Sequence, residues 1–511
     1  MRTNAYADSM SLMGLSAKVN DLPYVIKAVI GMATELNKGV MGDVGLLTPE
    51  VEAATSRDQV LVVQCATEAD CDRALAEVDI IRANTEAAGG GDSVFRTARE
   101  AFAQTPGANM VLISVPGEYA AAEARQALSA GKNVMIFSDN VSVSDELELK
   151  TFGHEHGLLV MGPDCGTAII NNVGLCFANA VRPGNIGIVA ASGTGSQELS
   201  VRVDALGAGI SQLIGVGGRD LSEDIGGVMM RDGLAMLDAD PDTAVIVVLS
   251  KPPADAVATR VLDAVTAVST PVVVCFIGSP HDGSVDNGRV TVATNTRDAA
   301  LAAVRLATGN PSLTDTTSYD FPYSDIHTGW APGQRFIRGL FCGGTVCDEI
   351  FHVIRAAHED TFTNIAKTPA NLLSPGESSR GHTLIDLGAD EFTRGRPHPM
   401  IDPTLRNSRI VAEATDPKTA VIALDFELGR GSHPAPVSAA VSAIQQARKV
   451  AAESGRTLEF IAYVLGTDTD PQGKADQISA LDDLGVRVVA SVIDLGEQAL
   501  KLIPQRQESM A

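Results

Sequence analysis

The stretch IGIVAASGTGSQE (residues 186–198) decides the fold of this chain, because it joins an apolar run to a helical run through a tight turn. Ile186–Ala190 is too short for a helix of its own and is rich in apolar residues, so we expect a buried strand. Ser192 is a good helix N-cap, and the glycines after it allow a sharp turn. A buried strand that runs directly into a helix is the repeating unit of a parallel α/β sheet.

The same alternation continues through most of the 511 residues. Short apolar runs bounded by Gly or Pro are separated by helical patterns such as Tyr119–Ala130 and Asp255–Val268. Near-continuous apolar strands predict parallel sheets with helices on both faces, so the fold class is α/β. The predicted strands are Val60–Gln64, Met110–Val115, Val134–Phe137, Leu158–Met161, Ile186–Ala190, Ala244–Leu249 and Pro271–Ile277.

Changes in composition divide the chain into five segments. We predict a small N-terminal βαβ unit (1–57), a Rossmann-like domain (58–182), a first doubly wound domain (183–310), a polar linker (311–334) and a second doubly wound domain (335–505). The linker is rich in turn-forming residues, which favours a connection without secondary structure.

An internal duplication relates the two doubly wound domains. Three short motifs of the first domain recur in the second in the same order, which predicts two versions of one folding unit. The matching pairs are AASGTG (190–195) with FCGGTV (341–346), IGVGGRD (214–220) with IDLGAD (385–390), and DPDTAVI (240–246) with DPKTAVI (416–422).

The charge balance restricts the class of ligand. The chain has 39 Lys and Arg against 63 Asp and Glu, a formal net charge of −24. Such a surface repels nucleic acid and anionic membranes, so we expect neither as a partner. A small anionic ligand must then be bound by local groups that act against the negative charge of the whole molecule.

The seven cysteines are widely spaced and form no Cys-x-x-Cys pair, so we predict neither a disulfide framework nor a metal site. The sequence also lacks an apolar run of about 18–20 residues and a signal-peptide pattern at its start. These features predict a cytoplasmic protein.

Two turns of the duplicated unit are candidate phosphate sites. Backbone amides at a helix N-terminus bind phosphate or carboxylate without net positive charge. The alternative is an ordinary capped turn. The candidate phosphate- or substrate-binding residues are Ser192, Gly193, Thr194, Gly217, Gly218, Arg219, Asp220, Lys251, Gly343, Gly344 and Thr345.

The loop RGRPHPMIDP (394–403) is the candidate catalytic segment. Arg394 and Arg396 could clamp a carboxylate or phosphate, and His398 is the best imidazole for acid–base work or phosphoryl acceptance. The alternative is a solvent-facing loop whose arginines pair with Asp390 and Glu391.

In the Rossmann-like domain, two polar segments follow predicted strands, where parallel sheets bind ligands. Cys165 could be a nucleophile, although a turn-packed thiol is the commoner case. There is no GxGxxG or GxxxxGK[ST] motif, which disfavours a standard NAD oxidoreductase and a P-loop NTPase. The candidate pocket for CoA or a nucleotide consists of Ser138, Asp139, Asn140, Gly162, Pro163, Asp164 and Cys165.

These motifs resemble a known family. GPDCGTA (162–168), IGIVAASGTGSQE and GVGGRDL (215–221) are similar to the succinyl-CoA synthetase α subunit, and the last domain resembles the ligase domain of the β subunit. Together with FSDNV (137–141) and DLGADEFTRGRPHPMIDP (386–403), they identify the chain as similar to the FdrA family. The resemblance implies a Rossmann-like CoA-binding-type domain followed by two flavodoxin-like ligase domains.

The departures from that family affect the expected chemistry. In succinyl-CoA synthetases a Gly-His-Ala-Gly loop carries the phosphorylated histidine, whereas this chain has IGSPHDGSVDNG (277–288), so we do not transfer the role to His281. The nucleotide-binding ATP-grasp domain is missing. QCATEADCD (64–72) stands where we expect the glycine-rich CoA loop.

Three functions remain open. FdrA-family resemblance implies a subunit of an oxamate-type carbamoyltransferase in purine-ureide (allantoin) catabolism, which would use carbamoyl phosphate or another acyl phosphate together with other subunits. The second reading is an acyl-CoA synthetase with CoA as its cofactor and a nucleotide-binding partner. The third is a non-catalytic scaffold or sensing subunit. As partners we expect a small anionic substrate, the other subunits of a multi-protein transferase, and further copies of the chain in an oligomer.

Overall fold

The fold is taken from a computed structural model, which describes residues 1–3, 5, 9–20, 22–43, 45–88, 95–278, 288–317, 329–374, 376–393 and 396–503. All seven predicted strands are confirmed, and so are the two helices named above. The predicted linker lies partly outside the described residues. No helix among the described residues is long and apolar enough to cross a membrane.

The N-terminal unit contains two antiparallel strands between helices. Helices on the two sides bury separate apolar clusters against the strands, one around Val19 and Ile30 and the other around Met41 and Val60. The elements are α1 (Ser9–Asn20), β1 (Val25–Met32), α2 (Glu35–Asp43), α3 (Pro49–Ala53), β2 (Gln59–Cys65) and α4 (Glu68–Ala88).

Strand β2 corrects one expectation. We assigned Val60–Gln64 to the Rossmann-like domain, but the strand pairs in antiparallel register with β1, for example Ile30 opposite Leu61. The reason is that β2 packs against α4 and its cluster in the N-terminal unit. The segment QCATEADCD therefore follows a strand of this unit and cannot stand for a CoA loop of the Rossmann-like sheet.

The Rossmann-like unit has a three-stranded parallel sheet in the order β3-β4-β5. Its apolar core continues into that of the next unit, because Val160 and Met161 belong to the same cluster as Val189 and Val248. The elements are α5 (Ala98–Gln104), β3 (Met110–Ile113), α6 (Gly117–Ser129), β4 (Asn133–Ile136), α7 (Val143–His156) and β5 (Val160–Met161).

The first flavodoxin-like unit has five parallel strands, extended at one edge by an antiparallel hairpin. The sheet order is β12-β11-β10-β8-β9-β6-β7. The elements are the hairpin β6 (Thr167–Ile170) and β7 (Val173–Cys176), then β8 (Pro183–Ala191), α8 (Gly193–Ala205), β9 (Ile210–Gly215), α9 (Val228–Ala239), β10 (Val245–Ser250), α10 (Asp255–Ala267), β11 (Val272–Phe276), β12 (Val290–Ala293) and α11 (Thr296–Thr308).

The second flavodoxin-like unit has the sheet order β14-β15-β13-β16-β17-β18. The elements are β13 (Phe336–Phe341), α12 (Gly344–Ala357), β14 (Thr361–Thr363), β15 (His382–Asp386), α13 (Asp390–Thr393), α14 (Thr404–Thr415), β16 (Thr419–Glu427), α15 (Pro436–Glu453), β17 (Glu459–Leu465), α16 (Lys474–Asp483), β18 (Arg487–Val489) and α17 (Val492–Leu502).

The structure bears out the duplication. Numbered within each unit, both sheets have the flavodoxin-like order 2-1-3-4-5, apart from the added edge strands. The AASGTG and FCGGTV motifs form the equivalent turns after β8 and β13. The first strand of each unit therefore ends at the same kind of helix N-terminus.

Two buried glutamates at equivalent positions of α8 and α12 join the two units. Glu349 accepts hydrogen bonds from the amide and hydroxyl of Thr296 at 2.6 and 2.8 Å, across the boundary between the units. Glu198 accepts from the Tyr463 hydroxyl at 2.5 Å, in the opposite direction. Burial raises the pKa of Glu349 to about 8. This reciprocal pairing fixes the N-termini of the two helices relative to each other.

Candidate functional site

The N-termini of α8 and α12 meet at the boundary of the two flavodoxin-like units. The Ser192 Oγ lies 2.5 Å from the Thr345 Oγ1, and the Thr345 amide donates to the Thr194 Oγ1 at 3.4 Å. The two Gly-Thr turns therefore share one location. Each helix end carries about half a positive charge, so the juxtaposition favours an anion between them.

Glycine is required in the second turn because other segments of the protein approach its backbone so closely. A Cβ on Gly343 would lie 2.9 Å from the Thr194 Cγ2, and one on Gly344 would lie 2.5 Å from the Asp386 Oδ2 and 2.9 Å from the Lys251 Nζ. This places the Lys251 ammonium and the Asp386 carboxylate directly beside the start of α12.

Several amides at these helix ends are available for a ligand. Ser192 caps the Gly195 amide at 3.0 Å, while Gly343 offers no side chain to cap α12. Within the described residues, the amides of Gly193, Thr194 and Gly344 have no hydrogen-bond partner. Unpaired amides of this kind form anion-binding sites in many proteins.

The two turns are not equivalent, because a carboxylate already occupies part of the second. Asp425 accepts hydrogen bonds from the Cys342 and Gly343 amides at 2.9 and 3.0 Å. The duplication aligns Asp425 with Leu249, whose side chain cannot accept a hydrogen bond. The second turn therefore offers fewer free amides than the first, and the candidate anion site consists of the α8 turn and the Gly344 amide.

Lys251, which directly follows β10, and Glu427, the last residue of β16, lie beside this site. The duplication aligns Lys251 with Glu427, and a Cβ on Gly343 would lie 3.0 Å from the Glu427 Oε1. Burial and the neighbouring Asp425 raise the pKa of Glu427 well above its usual value, which favours its neutral form. Lys251 then supplies the local positive charge.

Carboxylates surround the lysine. Burial, followed by Asp390, Asp139 and Asp386, raises the pKa of Asp164 to about 7, although its side chain retains solvent access. Burial raises the pKa of Asp386 to about 6, against the opposing effect of Lys251. The charge of both carboxyl groups beside Lys251 therefore changes near neutral pH.

The Rossmann-like unit contributes one wall of the site. The Asp139 Oδ2 accepts from the Thr393 hydroxyl at 3.0 Å, which links this unit to the second flavodoxin-like unit. A Cβ on Gly217 would lie 2.3 Å from the Pro163 carbonyl, and its φ of +86° also requires glycine. The turns after β4, β5 and β9 therefore meet at one edge.

His398 reaches the site, but with a different role from the one we expected. Its Nδ1 accepts a hydrogen bond from the Met400 amide at 3.3 Å, and burial lowers its pKa to about 4. A Cβ on Gly388 would lie 2.5 Å from the Nε2. The neutral ring assigned from this hydrogen bond carries its proton on Nε2, so that atom is a hydrogen-bond donor and not a base or phosphoryl acceptor.

The structure does not test the predicted clamp by the two candidate arginines. Arg394 lies outside the described residues. Arg396 is half-buried, and its amide donates to the Thr393 carbonyl at 3.0 Å. The clamp by these arginines stays a prediction.

Arg219 and Asp220 have structural partners. The Asp220 Oδ1 accepts from the buried Lys150 ammonium at 2.8 Å, and Lys150 also contacts Glu146 at 2.8 Å. Arg219 donates to Glu146 at 2.9 Å and to the Val141 carbonyl at 2.8 Å. This network joins the Rossmann-like unit to the first flavodoxin-like unit, so it explains both residues without a ligand.

Cys165 and Ser138 are likewise engaged within the protein. The Cys165 thiol donates to the Gly215 carbonyl at 3.2 Å, and burial raises the pKa of this thiol. The thiolate that a nucleophile needs is therefore disfavoured. Ser138 donates to the Val115 carbonyl at 2.5 Å, whereas Asn140 is exposed with a φ of +55°.

Two clusters have the composition of metal sites, but their hydrogen bonds argue against a metal. In the cluster of His358, Asp360 and His382, the His382 Nδ1 already accepts from the Ile337 amide at 3.2 Å, which leaves its other nitrogen protonated. In the cluster of Cys342, Asp425 and Glu427, the Arg406 guanidinium supplies the cation, 3.0 Å from the Cys342 Sγ.

Sequence reasoning missed Asp386, Asp425 and Glu427 at this site. Asp386 and Glu427 could have been found by extending the duplication, which aligns them with Gly215 and Lys251 at strand ends. Asp425 lies two residues before Glu427 in the buried strand β16, and nothing in the sequence pattern marked it as a site residue.

Family comparisons match three parts of the chain. A family described as the heavy metal-associated domain of AllF matches residues 1–96, one described as a CoA binding domain matches 181–278, and one described as CoA-ligase matches 340–501. The CoA-binding match thus falls on the segment that we assigned to the first ligase domain, and not on residues 58–182.

Two curated relatives illustrate the similarity. A protein of Escherichia coli (strain K12) described as "Uncharacterized protein YahF" is 48% identical over 510 residues, which cover 100% of this chain and 99% of that protein. The succinate–CoA ligase [ADP-forming] α subunit of Aquifex aeolicus is 32% identical over 168 residues, 32% of this chain and 53% of that subunit.

Solved structures give weaker matches. ATP citrate lyase from Methanothrix soehngenii, in complex with citrate and coenzyme A, has a TM-score of 0.37 and 15% identity over 45% of this chain and 43% of that one. An acetyl-coenzyme A synthetase of Ca. Korarchaeum cryptofilum has a TM-score of 0.32 and 17% identity over 77% and 82%. At these TM-scores the matches support no further argument. The full-length identity and the two CoA-related family matches show that the chain belongs to the family of YahF, which is succinyl-CoA synthetase-like and joins CoA-binding and CoA-ligase domains in one chain.

Proposed function

We propose that this chain is a CoA-ligase-type acyl-transfer component, which binds an acyl phosphate where α8 and α12 meet and passes the acyl group to the thiol of CoA. The observation that carries the proposal is the meeting of the two helix N-termini beside Lys251. The CoA-binding and CoA-ligase family matches support CoA as the acceptor.

The proposed step needs no nucleotide in this chain. The sulfur of CoA attacks the acyl carbon, the C–S bond forms, and the bond from that carbon to the phosphate oxygen breaks. The thiol proton leaves with inorganic phosphate, so the products are a thioester and phosphate. A nucleotide-binding partner would be needed only to make the acyl phosphate.

The protein's residues would bind and polarise the reactants. The amides of Gly193, Thr194 and Gly344 would hold the phosphate, and Lys251 would offset its charge. The Nε2–H of His398 would donate to an oxygen that becomes negative during the transfer. Because His398 is neutral, this donor persists across the physiological pH range.

One helix end at the edge of the Rossmann-like sheet would suit the phosphates of CoA. Helix α6 starts after Pro116, with no side-chain hydrogen bond to its first amides. Together with the exposed Asn140, this uncapped helix end could hold the phosphates of CoA, whose thiol supplies the acceptor of the reaction.

The test is formation of acetyl-CoA from acetyl phosphate and CoA by the purified full chain. We expect thioester formation that is lost in Lys251→Met and kept in Lys449→Met, an exposed lysine on α15. No thioester from several acyl phosphates, together with no CoA binding in calorimetry, would refute the proposal. Equal activity of the two variants would refute the site.

Carbamoyl transfer remains an expectation from the FdrA resemblance. Neither curated relative named above is described as a carbamoyltransferase. Carbamoyl phosphate is itself an acyl phosphate, so the same site would bind it, and an amide acceptor in place of CoA distinguishes the two reactions.

A further inference from the structure

One buried carboxyl oxygen faces the anion site without a hydrogen-bond partner. Glu427, the last residue of β16, is 2% exposed, and its Oε1 has no partner among the described residues. This oxygen lies 3.0 Å from the position that a Cβ on Gly343 would take, and the Thr194 Cβ lies 3.0 Å from the same position. The Oε1 therefore lies where the N-termini of α8 and α12 meet. Buried polar atoms nearly always have a partner, so this one indicates a ligand.

One buried cation faces two buried acids here. The Cys342 Sγ, an oxygen of Asp425 and an oxygen of Glu427 lie within 4.8 Å of one another. The Nη1 of Arg406 lies 3.5 Å from the Asp425 Oδ1, and Asp425 also accepts hydrogen bonds from two backbone amides. The guanidinium and the amides stabilise the charged form of Asp425. Glu427 is therefore the acid that holds a proton.

The other neighbours of Glu427 support this distribution of charge. Burial raises the pKa of the Cys342 thiol, which stays neutral. His433 lines a small cavity together with Glu427, and its Nδ1 accepts from a backbone amide at 3.1 Å, as in a neutral ring. The Lys251 ammonium lies beside the Asp386 carboxylate at the start of α12. Burial and Asp425 raise the pKa of Glu427 well above its usual value, in agreement with the charge count.

We propose that the protonated carboxyl group of Glu427 is a hydrogen-bond donor of the anion site and binds a phosphate oxygen beside the free amides of the two helix ends. The proton stays on Glu427 throughout. An ionised carboxylate in the same place would repel the anion, whereas the neutral acid adds a donor without adding charge. The inference rests on the anion site of the proposed function, but it concerns binding alone and does not require CoA.

The experiment is calorimetry of the full chain with sulfate at slightly acid pH, where Asp164 is neutral. Sulfate carries no proton under these conditions, so it can only accept hydrogen bonds. Glu427→Leu removes the donor and should weaken binding about 10- to 100-fold, the usual contribution of a hydrogen bond to a charged group. Glu427→Gln keeps the size and an N–H donor, so it should bind sulfate nearly as well as the wild type. Glu453→Leu, at the exposed end of α15, should match the wild type.

A second readout follows the proton itself. In infrared spectra the C=O stretch of a protonated carboxyl group is separate from the bands of a carboxylate, and it shifts when the O–H gains a new acceptor. We expect sulfate to shift such a band in the wild type and the shift to be absent from Glu427→Gln. A role of Glu427 in packing alone would give no shift. This readout decides the matter if Glu427→Leu does not fold.

The outcomes separate the donor role from the anion site. If the wild type binds sulfate, the donor role is overturned by equal binding in a folded Glu427→Leu variant, by tighter binding in Glu427→Gln, or by the lack of a band shift, and the site itself stands. If the wild type binds no sulfate, both the donor role and the site are overturned.

Discussion

Raising the pH should weaken anion binding at the α8–α12 site, because Asp164 loses a proton. The pKa of this carboxyl group is raised to about 7 by burial and by Asp390, Asp139 and Asp386. A raised pKa means that Asp164 is neutral below about pH 7 and charged above it. The charged form repels a bound anion, so affinity is highest at low pH and falls as the pH rises through 7.

The size of the effect follows from the titration of one group. If the anion binds only when Asp164 is neutral, affinity should fall about tenfold between pH 6 and pH 8, since each pH unit above the pKa lowers the neutral fraction about tenfold. Titration of Asp386, whose pKa is about 6, would add to this fall.

Calorimetry with sulfate measures the effect, because the charge of sulfate does not change over this range. Ionic strength must be held constant, since salt screens the interaction. Asp164→Asn should bind more tightly at the higher pH and have a smaller pH dependence, whereas Asp242→Asn, at an exposed turn, should follow the wild type. A flat wild-type profile, or the same slope in Asp164→Asn, would refute the reasoning.

Three further substitutions test other parts of the account. Gly344→Ala places a Cβ 2.5 Å from a carboxylate oxygen, so it should abolish sulfate binding and lower the free energy of unfolding by about 1–3 kcal/mol in denaturant titrations. Lys150→Met leaves Asp220 buried without its cation and Glu146 paired with Arg219 alone, which should cost about 3–5 kcal/mol in the same titrations; a loss under about 1 kcal/mol would contradict the network. Cys165→Ser should retain thioester formation, because the thiol is buried and donates a hydrogen bond to the Gly215 carbonyl. Loss of turnover in a variant that still folds would instead indicate that Cys165 is a catalytic residue.

The sequence was enough to predict the two flavodoxin-like units and the equivalence of their Gly-Thr turns. Apolar strands that run into helices specify parallel sheets, and the repeated Ser-Gly-Thr and Gly-Gly-Thr turns identify equivalent helix ends. The structure places these ends in contact through Ser192 and Thr345. Local pattern and duplication were enough here because each turn is built by residues close together in the chain.

Features that depend on distant residues were not predictable in this way. An apolar run such as Val60–Gln64 has the same pattern whether it joins a parallel sheet or a hairpin, and only its partner β1 decides. Asp425 fills part of the second turn from a different strand. The proton position on His398 depends on the Met400 amide, which the composition of the loop does not reveal.

The central claim is that the facing ends of α8 and α12 form one anion site. A crystal structure of the full chain soaked with acetylphosphonate, a stable analogue of acetyl phosphate, tests it most directly. We expect the phosphonate oxygens within hydrogen-bond distance of the Gly193, Thr194 and Gly344 amides, with the Lys251 ammonium beside them. A phosphonate bound elsewhere, with the Ser192 and Thr345 hydroxyls still closing the gap between the helices, would contradict the claim.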